Sequence, residues 1–306
     1  MGPTRHDQVA ALAAGSLLDL DERAMLDALG SAGTQSAGLW EFNADGAMSK
    51  HLHPGKAAFN GVLAADLARQ GFTGASRILE GDRGFFRATS TGGDATRVID
   101  GLGKTWKVSE NCYKLHACCG HTHTAIDVAL DHRAGATWQG AGALASVEIR
   151  TYAPGYEIVR EPNPGTPYQA KFSLPYCVAV ALAEGRVGLE QFTPERFSAN
   201  GVVDPGLRSL MERIHVTVDP DVTARYPAEW GTKVAFIGRD GAVVERTAAF
   251  PRGNPENPVS TALLEDKLRD LVSPRLGAAV SERAIAAVNG LEQCDDMAEA
   301  FRELSQ

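Results

Sequence analysis

One short stretch gathers much of the chain's metal-binding and nucleophilic chemistry. The stretch CYKLHACCGHTHTAID, Cys112–Asp127, holds three of the five cysteines and three of the eight histidines. Such a set could bind zinc, supply a thiol nucleophile or hold an anion. Structural zinc sites use cysteine pairs and histidine pairs separated by several residues, whereas Cys118 and Cys119 are adjacent and His121 lies close to His123. The spacing argues against a metal site, and we predict neither a metal nor a cofactor.

A thiol nucleophile is also not indicated, because no supporting base and orienting group can be identified beside any cysteine. An odd number of cysteines without a secretory signal predicts free thiols rather than a disulfide framework. We therefore interpret Cys112, Cys118 and Cys119 as small, partly buried packing residues. Cys177 lies in an apolar helical segment, where a small buried side chain is the simpler interpretation.

Lys114 is the residue of this stretch that most favours ligand binding. It precedes a predicted helix that starts at His121 or Thr122, and helix N-termini attract anions through free N–H groups and the helix dipole. A lysine in the preceding loop adds a full positive charge, so a carboxylate ligand suits the combination. The simpler alternative is an exposed loop lysine with no ligand, which is the commoner situation.

A second basic loop, SKHLHPGKAA at residues 49–58, also leads into a predicted helix. Two lysines and two histidines flank its Pro-Gly turn. Two basic loops of this kind in one helical region predict a site for a polyanion. A phosphate loop is not indicated, since neither glycine-rich phosphate-binding pattern is present.

The elements that must position these loops fall into three segments. Helical periodicity dominates to residue 138, with a break at Asp21 and with Phe59 and Val62 on the apolar side of one helix. Alternating strands, an apolar helix and a hairpin at Asp240–Gly241 fill residues 139–253. Helices return over 254–306, with Ser260 or Thr261 as an N-cap. This order predicts an α+β fold: a mostly helical domain with an inserted α+β lid domain, bounded as 1–138, 139–253 and 254–306.

Composition narrows the possible partners. The chain has 306 residues, a net charge of −8 and 44% hydrophobic residues. An acidic chain lacks the clustered basic surface that nucleic acids require, so no nucleic-acid partner is expected. We also expect no membrane span and a cytoplasmic location, because no long apolar run or secretory pattern occurs.

Five segments together resemble the MmgE/PrpD family, which includes 2-methylcitrate dehydratase, cis-aconitate decarboxylase and iminodisuccinate epimerase. The first two are ALGSAGTQSAGLWEF and DGAMSKHLHPGKAAFNGVLAADLARQGFTGASRILEGDRGFF. The others are YKLHACCGHTHTAIDVAL, KFSLPYCVAVAL and NPVSTALLEDKL. The resemblance extends over nearly the whole chain.

The resemblance implies a helical domain with an α+β lid, a homodimer, and metal-independent lyase chemistry on a small di- or tricarboxylate. It implies three catalytic residues, which are Lys50, Lys114 and Tyr156. It also implies three substrate-binding residues, which are His53, His121 and His123. Reactions of this type build negative charge on the substrate, which fixed cations and hydrogen-bond donors stabilise.

The sequence departs from the family pattern in several places. Family members are usually longer, and their acidic, threonine and histidine acid/base residues precede the start of this chain. His6 and Asp7 are expected at the start of a surface helix and not as replacements. Leu115-His116-Ala117 stands where Pro-Tyr-Pro is usual, and Gly120 stands where arginine is common. Three hypotheses remain: a lyase working with a separately encoded N-terminal chain, an epimerase or isomerase acting by proton abstraction, and an inactive carboxylate-binding or dimerisation remnant.

Overall fold

The computed structural model describes residues 6–92, 94–296 and Ala298. The chain divides into two compact units, one ending at Trp106 and the other beginning at Lys107. Each unit is helical in part, and the second also carries the sheet, so the predicted α+β class is confirmed. The finer division at residues 138 and 253 stays a prediction.

The first unit is built from helices joined by turns and loops. Its α-helices are α1 His6–Leu17, α2 Glu22–Gly33, α3 Phe42–Asp45, α4 Leu52–Arg69 and α5 Phe85–Thr89. Short 3₁₀ turns occupy Met48–His51 and Ala95–Val98. The predicted break at Asp21 is confirmed, because its carboxylate caps α2 by accepting a 2.8 Å hydrogen bond from the Ala24 N–H.

Small residues form the contact between α1, α2 and α4. A Cβ on Gly61 would lie 2.4 Å from the Ala10 Cβ, so only glycine lets α1 and α4 approach this closely. Phe59 and Val62 lie on one side of α4, as predicted, and that side is exposed, to 64% and 57% for these two residues. The helices pack instead through fully buried alanines, Ala11, Ala32 and Ala64.

The burial of Asp7 differs from the sequence expectation. It is buried rather than part of a surface helix start, and its carboxylate accepts a 2.8 Å hydrogen bond from the Asn60 side chain. The Asn60 oxygen in turn accepts a 2.9 Å hydrogen bond from Lys56 Nζ. This chain of polar contacts ties the start of α1 to the middle of α4.

The second unit combines helices with a mixed sheet. Its helices are α6 Gly120–Ala134, α7 Ala153–Val159, α8 Pro167–Ala170, α9 Leu174–Glu184, α10 Pro205–Met211, α11 Pro220–Arg225, α12 Thr261–Leu276 and α13 Ala278–Asn289. Its strands are β1 Leu144–Thr151, β2 Phe197–Ser198, β3 Gly201–Val202, β4 Ile214–Val218, β5 Thr232–Gly238 and β6 Val243–Ala248. Strands β1, β4, β5 and β6, the apolar helix α9 and the C-terminal helices were predicted from the sequence, whereas β2 and β3 were not.

The main sheet has the order β4-β1-β5-β6. Strand β1 pairs parallel with β4 and antiparallel with β5, with Ile149 opposite Val216 and Val234. The predicted hairpin is confirmed between β5 and β6, where Gly241 takes a φ of 86° and the Ala242 N–H donates to Asp240 at 3.0 Å. The small pair β2–β3 lies apart from this sheet.

Helix α9 is the centre of the second unit's core. It is buried from Leu174 to Leu182 and packs against α6, α10 and β4. Ser173 caps its start, and Ser260 caps α12 by accepting from the Leu263 N–H at 3.3 Å, which resolves the predicted choice between Ser260 and Thr261. Helix α6, which carries the candidate site at its start, packs against the buried helix α9.

Candidate functional site

The loop before α6 is held by three other segments of the second unit. The Tyr113 N–H donates to the Gly253 carbonyl at 2.9 Å, the Ala117 N–H to Val187 at 3.1 Å, and the Cys119 N–H to Lys171 at 2.9 Å. Gly253 has a φ of 94°, and a Cβ there would lie 2.3 Å from the Tyr113 carbonyl oxygen. The backbone around Lys114 is therefore fixed by long-range contacts, although the loop contains no regular structure.

Lys114 lies in the loop before α6, as predicted. Its side chain is exposed, and its ammonium group donates to the Cys118 carbonyl at 3.3 Å. A Cβ on Gly120 would lie 3.7 Å from Lys114 Cε and 3.3 Å from the Trp230 ring. Lys114 therefore shares the first turn of α6 with Trp230, and the N-cap residue Cys119 provides no side-chain cap.

His121 belongs to an aromatic cluster at the same helix start. Its ring stacks on Trp230 at 4.5 Å between centroids, and its Nδ1 lies 2.6 Å from the Tyr152 hydroxyl. Tyr152 is buried and stacks on Tyr226 at 4.7 Å. Burial first, and then the neighbouring Cys119 and Tyr226, raises the pKa of the Tyr152 hydroxyl, so this group remains a proton donor at neutral pH.

A further hydrogen bond secures Trp230 to α6. The Thr124 hydroxyl donates to the Trp230 carbonyl at 2.6 Å. Since Thr124 and His121 lie three positions apart on the helix, they share a face. The indole is therefore tied to α6 through its backbone as well as through its ring.

His123 lies in a different environment from His121. It is buried, and its ring meets His116 edge-on at 5.0 Å between centroids. Residues two apart on an α-helix point to nearly opposite sides. Within the described part of the chain, His123 Nε2 is a buried nitrogen with no hydrogen-bond partner. His121 therefore lies at the helix start near Lys114, whereas the side chain of His123 lies in the interior of the second unit.

The interior group around His123 is polar and closely connected. His116 Nε2 lies 2.9 Å from an Asp127 oxygen, and the other Asp127 oxygen accepts a 2.8 Å hydrogen bond from the Arg252 N–H. Cys118 Sγ lies 3.0 Å from the Thr122 hydroxyl. This network links the predicted loop to α6 and to the segment around Arg252.

The cysteine interpretation is confirmed in part. Cys118 and Cys119 are each 7% exposed and Cys177 is fully buried, whereas Cys112 is exposed, contrary to expectation. Burial opposes ionisation of Cys118, but hydrogen bonds with Cys177 and His123 outweigh it and lower the pKa of its thiol. Burial and the neighbouring Cys118 raise the pKa of the Cys177 thiol.

The second basic loop forms its own cluster in the first unit. Lys50 Nζ lies 6.0 Å from the ring centroids of both Trp40 and Phe42. The His53 ring, in the first turn of α4, meets Phe42 edge-on at 5.7 Å. Lys50 and His53 are therefore brought together around Phe42. Aromatic faces attract a cation by about 0.5–1 kcal/mol at exposed sites.

Tyr156 is not brought into contact with His121. Its ring faces Arg160, whose guanidinium carbon lies 5.9 Å from the ring centroid. The tyrosine that reaches the start of α6 is Tyr152, which directly follows β1 in the segment TYAPGY. Sequence reasoning missed Tyr152 because both tyrosines lie in that segment and no pattern distinguishes them.

Among the residues that the structure describes, no group of three or more histidine, cysteine, aspartate or glutamate side chains is arranged to hold a metal ion. None of the helices that the structure describes is both long and apolar enough to cross a membrane.

Comparison with known sequences identifies the class of protein. The profile of the MmgE/PrpD C-terminal domain matches residues 116–293, and that of the MmgE/PrpD N-terminal domain matches residues 6–98. The first match alone covers more than half of the chain and includes α6, the sheet and α12, and it begins two residues after Lys114. The chain belongs to the MmgE/PrpD family.

Its curated relatives include proteins named for one reaction. The cis-aconitate decarboxylase-like protein oryM of Aspergillus oryzae is 27% identical over 326 residues, covering 99% of this chain and 64% of the relative. The cis-aconitate decarboxylase of Aspergillus terreus is 32% identical over 295 residues, covering 92% of this chain and 58% of the relative. The human cis-aconitate decarboxylase is 25% identical over 297 residues, covering 94% of this chain and 59% of the relative. The chain thus spans less than two thirds of the length of these relatives.

Proposed function

We propose that the chain carries the carboxylate site of an MmgE/PrpD-type lyase acting on a small di- or tricarboxylate of the cis-aconitate or 2-methylcitrate type. The names of the curated relatives support decarboxylation of cis-aconitate as the first activity to test. One observation carries the proposal: the Lys114 ammonium lies at the start of α6, and within the described residues it contacts a carbonyl and forms no ion pair with a carboxylate.

The chemistry needs positive charge of this kind. In cis-aconitate decarboxylation, the bond between the methylene carbon and its carboxylate breaks and CO₂ leaves. The electron pair of that bond forms a new double bond to the central carbon, and the far carbon of the old double bond takes up a proton. Negative charge develops on the substrate, so a fixed ammonium group beside a remaining carboxylate lowers the barrier.

His121 and Tyr152 supply the proton-transfer group in this proposal. When Tyr152 donates to Nδ1, the imidazole is neutral and its proton sits on Nε2. A buried tyrosine with a raised pKa favours this arrangement. The imidazole is then held in one orientation by Tyr152 and Trp230, as a positioned general acid requires. Lys50, in the first unit, is proposed by itself as a carboxylate-binding lysine.

The test is a turnover assay on the full chain, alone and with any polypeptide that co-purifies. Loss of cis-aconitate is followed by double-bond absorbance and by CO₂ release, with 2-methylcitrate dehydration followed in parallel. Lys114→Met and Lys50→Met should lose turnover. Lys107→Met is the control, because Lys107 is exposed and pairs with Glu110 at 2.7 Å. Equal turnover by Lys114→Met and Lys107→Met would show that the Lys114 assignment is wrong.

Two other experimental outcomes would favour a function other than a lyase. Deuterium uptake from solvent without a change in absorbance would indicate an epimerase or isomerase that uses the same proton abstraction. Carboxylate binding without turnover under every pairing would indicate a non-catalytic binding protein.

A further inference from the structure

A second lysine reaches the Lys114 loop from the far end of the sequence. Lys267 lies on α12, and its ammonium group donates a hydrogen bond to the backbone carbonyl of Lys114, 153 positions away. Two adjacent residues of this loop are thus held through their backbone: the Tyr113 N–H donates to the Gly253 carbonyl, and the Lys114 carbonyl accepts from Lys267. No other side chain of the described residues bonds to the Lys114 carbonyl.

Lys114 and Lys267 bring two ammonium groups to the same loop. Neither Lys114 nor Lys267 forms an ion pair with any carboxylate in the part of the chain that the structure describes. Lys267 is half-buried, and burial first, then the Lys114 charge, lowers the pKa of its ammonium group. An anion bound at this loop would offset both positive charges.

We propose that Lys267 is a positioning residue for the Lys114 anion site: it holds the Lys114 carbonyl and adds a second positive charge beside the bound carboxylate. The role rests on the proposed function, since it assumes that Lys114 binds a carboxylate. The hydrogen bond from Lys267 favours the present conformation of the Lys114 backbone. The Lys114 ammonium then meets a polycarboxylate next to Trp230 and the first turn of that helix.

Three substitutions separate charge, hydrogen bond and packing. Lys267→Met keeps most of the aliphatic stem but removes the donor and the charge. Lys267→Gln keeps a donor and removes the charge, and Lys267→Arg keeps both. Lys107→Met is the matched control, because it removes one exposed positive charge from the same unit.

The experiment is calorimetric titration of the full-length chain and its variants with citrate, a tricarboxylate. Loss of a charged hydrogen-bond donor predicts roughly tenfold weaker citrate binding for Lys267→Met. Lys267→Arg should bind within about threefold of the unaltered chain, Lys267→Gln should fall between, and Lys107→Met should not change. Circular dichroism and thermal unfolding establish that each variant is folded.

A double-variant cycle tests whether Lys267 acts through Lys114. Once Lys114→Met is present, adding Lys267→Met should weaken citrate binding only slightly, because the residue being positioned is gone. Citrate binding by Lys267→Met at the strength of the unaltered chain would overturn the proposal. The proposal would also be overturned if a folded Lys267→Arg bound citrate no better than Lys267→Met, or if the two substitutions were fully additive. Absence of citrate binding by the unaltered chain would overturn it as well.

Turnover of cis-aconitate on the same preparations separates this inference from the proposed function. Intact, Lys267-dependent citrate binding without turnover of any substrate would contradict the lyase and leave the positioning role standing. Where turnover is present, Lys267→Met should raise KM more than it lowers kcat. A merely structural tie would instead lower the melting temperature without altering citrate affinity in the folded protein.

Discussion

Tyr152 and His121, 31 positions apart in the chain, lie 2.6 Å apart at the tyrosine hydroxyl and the imidazole Nδ1. The bond joins the residue that follows β1 to the first turn of α6. It also fixes which histidine nitrogen faces away from the buried tyrosine. The pair therefore connects the core of the second unit to the helix start where Lys114 lies.

Tyr152→Phe should reduce turnover more than Tyr156→Phe does. Loss of the Tyr152 hydroxyl leaves His121 Nδ1 without this partner, which we expect to cost about 1–2 kcal/mol in unfolding free energy and to lower kcat. Tyr156 faces Arg160, so Tyr156→Phe should change little. Denaturant unfolding and kcat measurements check both variants. A larger kcat loss in Tyr156→Phe would restore the original sequence prediction.

Gly253→Ala should destabilise the Lys114 loop. The substitution combines a φ of 94° with a Cβ that would lie 2.3 Å from the Tyr113 carbonyl oxygen. We expect a loss of about 2–4 kcal/mol in unfolding free energy and weaker citrate binding. Gly241→Ala is the control, because Gly241 has a φ of 86° with no atom within 4 Å of an added Cβ. Its loss should be about 1 kcal/mol, from backbone strain alone.

Gly61→Ala should destabilise the first unit, and Gly55→Ala should not. Both glycines lie on α4, but a Cβ at Gly61 would approach Ala10 Cβ to 2.4 Å, whereas a Cβ at Gly55 meets nothing within 4 Å. Overpacking predicts a loss of about 1–3 kcal/mol for Gly61→Ala. Helix propensity predicts a gain of up to about 1 kcal/mol for Gly55→Ala. Thermal unfolding of the two variants tests this prediction. Equal changes in melting temperature would contradict the close α1–α4 packing at Gly61.

Stability should fall in mild acid partly because of His132. This side chain is buried and stacks on Phe236 at 3.8 Å, and burial first, then the Arg246 charge, lowers its pKa from the ordinary 6.5. The unfolded chain then binds the proton more readily than the folded chain, so stability is lost as the pH falls below 6.5.

The check is the pH dependence of unfolding free energy in His132→Gln. Its stability should decrease less steeply below the ordinary histidine pKa than that of the unaltered chain. His215→Gln serves as the control, because His215 is exposed on β4. An unchanged slope in His132→Gln would refute the assignment to His132.

Alkylation should distinguish the cysteines of the loop before α6. Cys112 is exposed, whereas Cys118, Cys119 and Cys177 are buried. Only an accessible thiol reacts with iodoacetamide in the folded chain, so among these four cysteines mass spectrometry after brief labelling should find the adduct on Cys112. Cys112→Ser should remove that early adduct. Early labelling of Cys118 would contradict its buried position.

The sequence by itself determined most of the longer elements and one part of the site. Periodicity and capping residues predicted α4, α6, α9 and the β5–β6 hairpin, because these patterns depend on neighbours within a few residues. The position of Lys114 just before α6 was predicted on the same local grounds. The five segments that resemble the MmgE/PrpD family predicted the membership that the two profile matches establish.

Only the tertiary structure decided what surrounds Lys114. Tyr152, Trp230 and Lys267 reach the start of α6 through contacts between residues 31 to 153 positions apart. The local sequence indicates only that Tyr152 follows a strand, that Trp230 lies in a loop and that Lys267 lies in a helix. Side-chain contacts across such separations depend on how the helices pack on the sheet, and that packing follows burial of whole faces rather than local pattern.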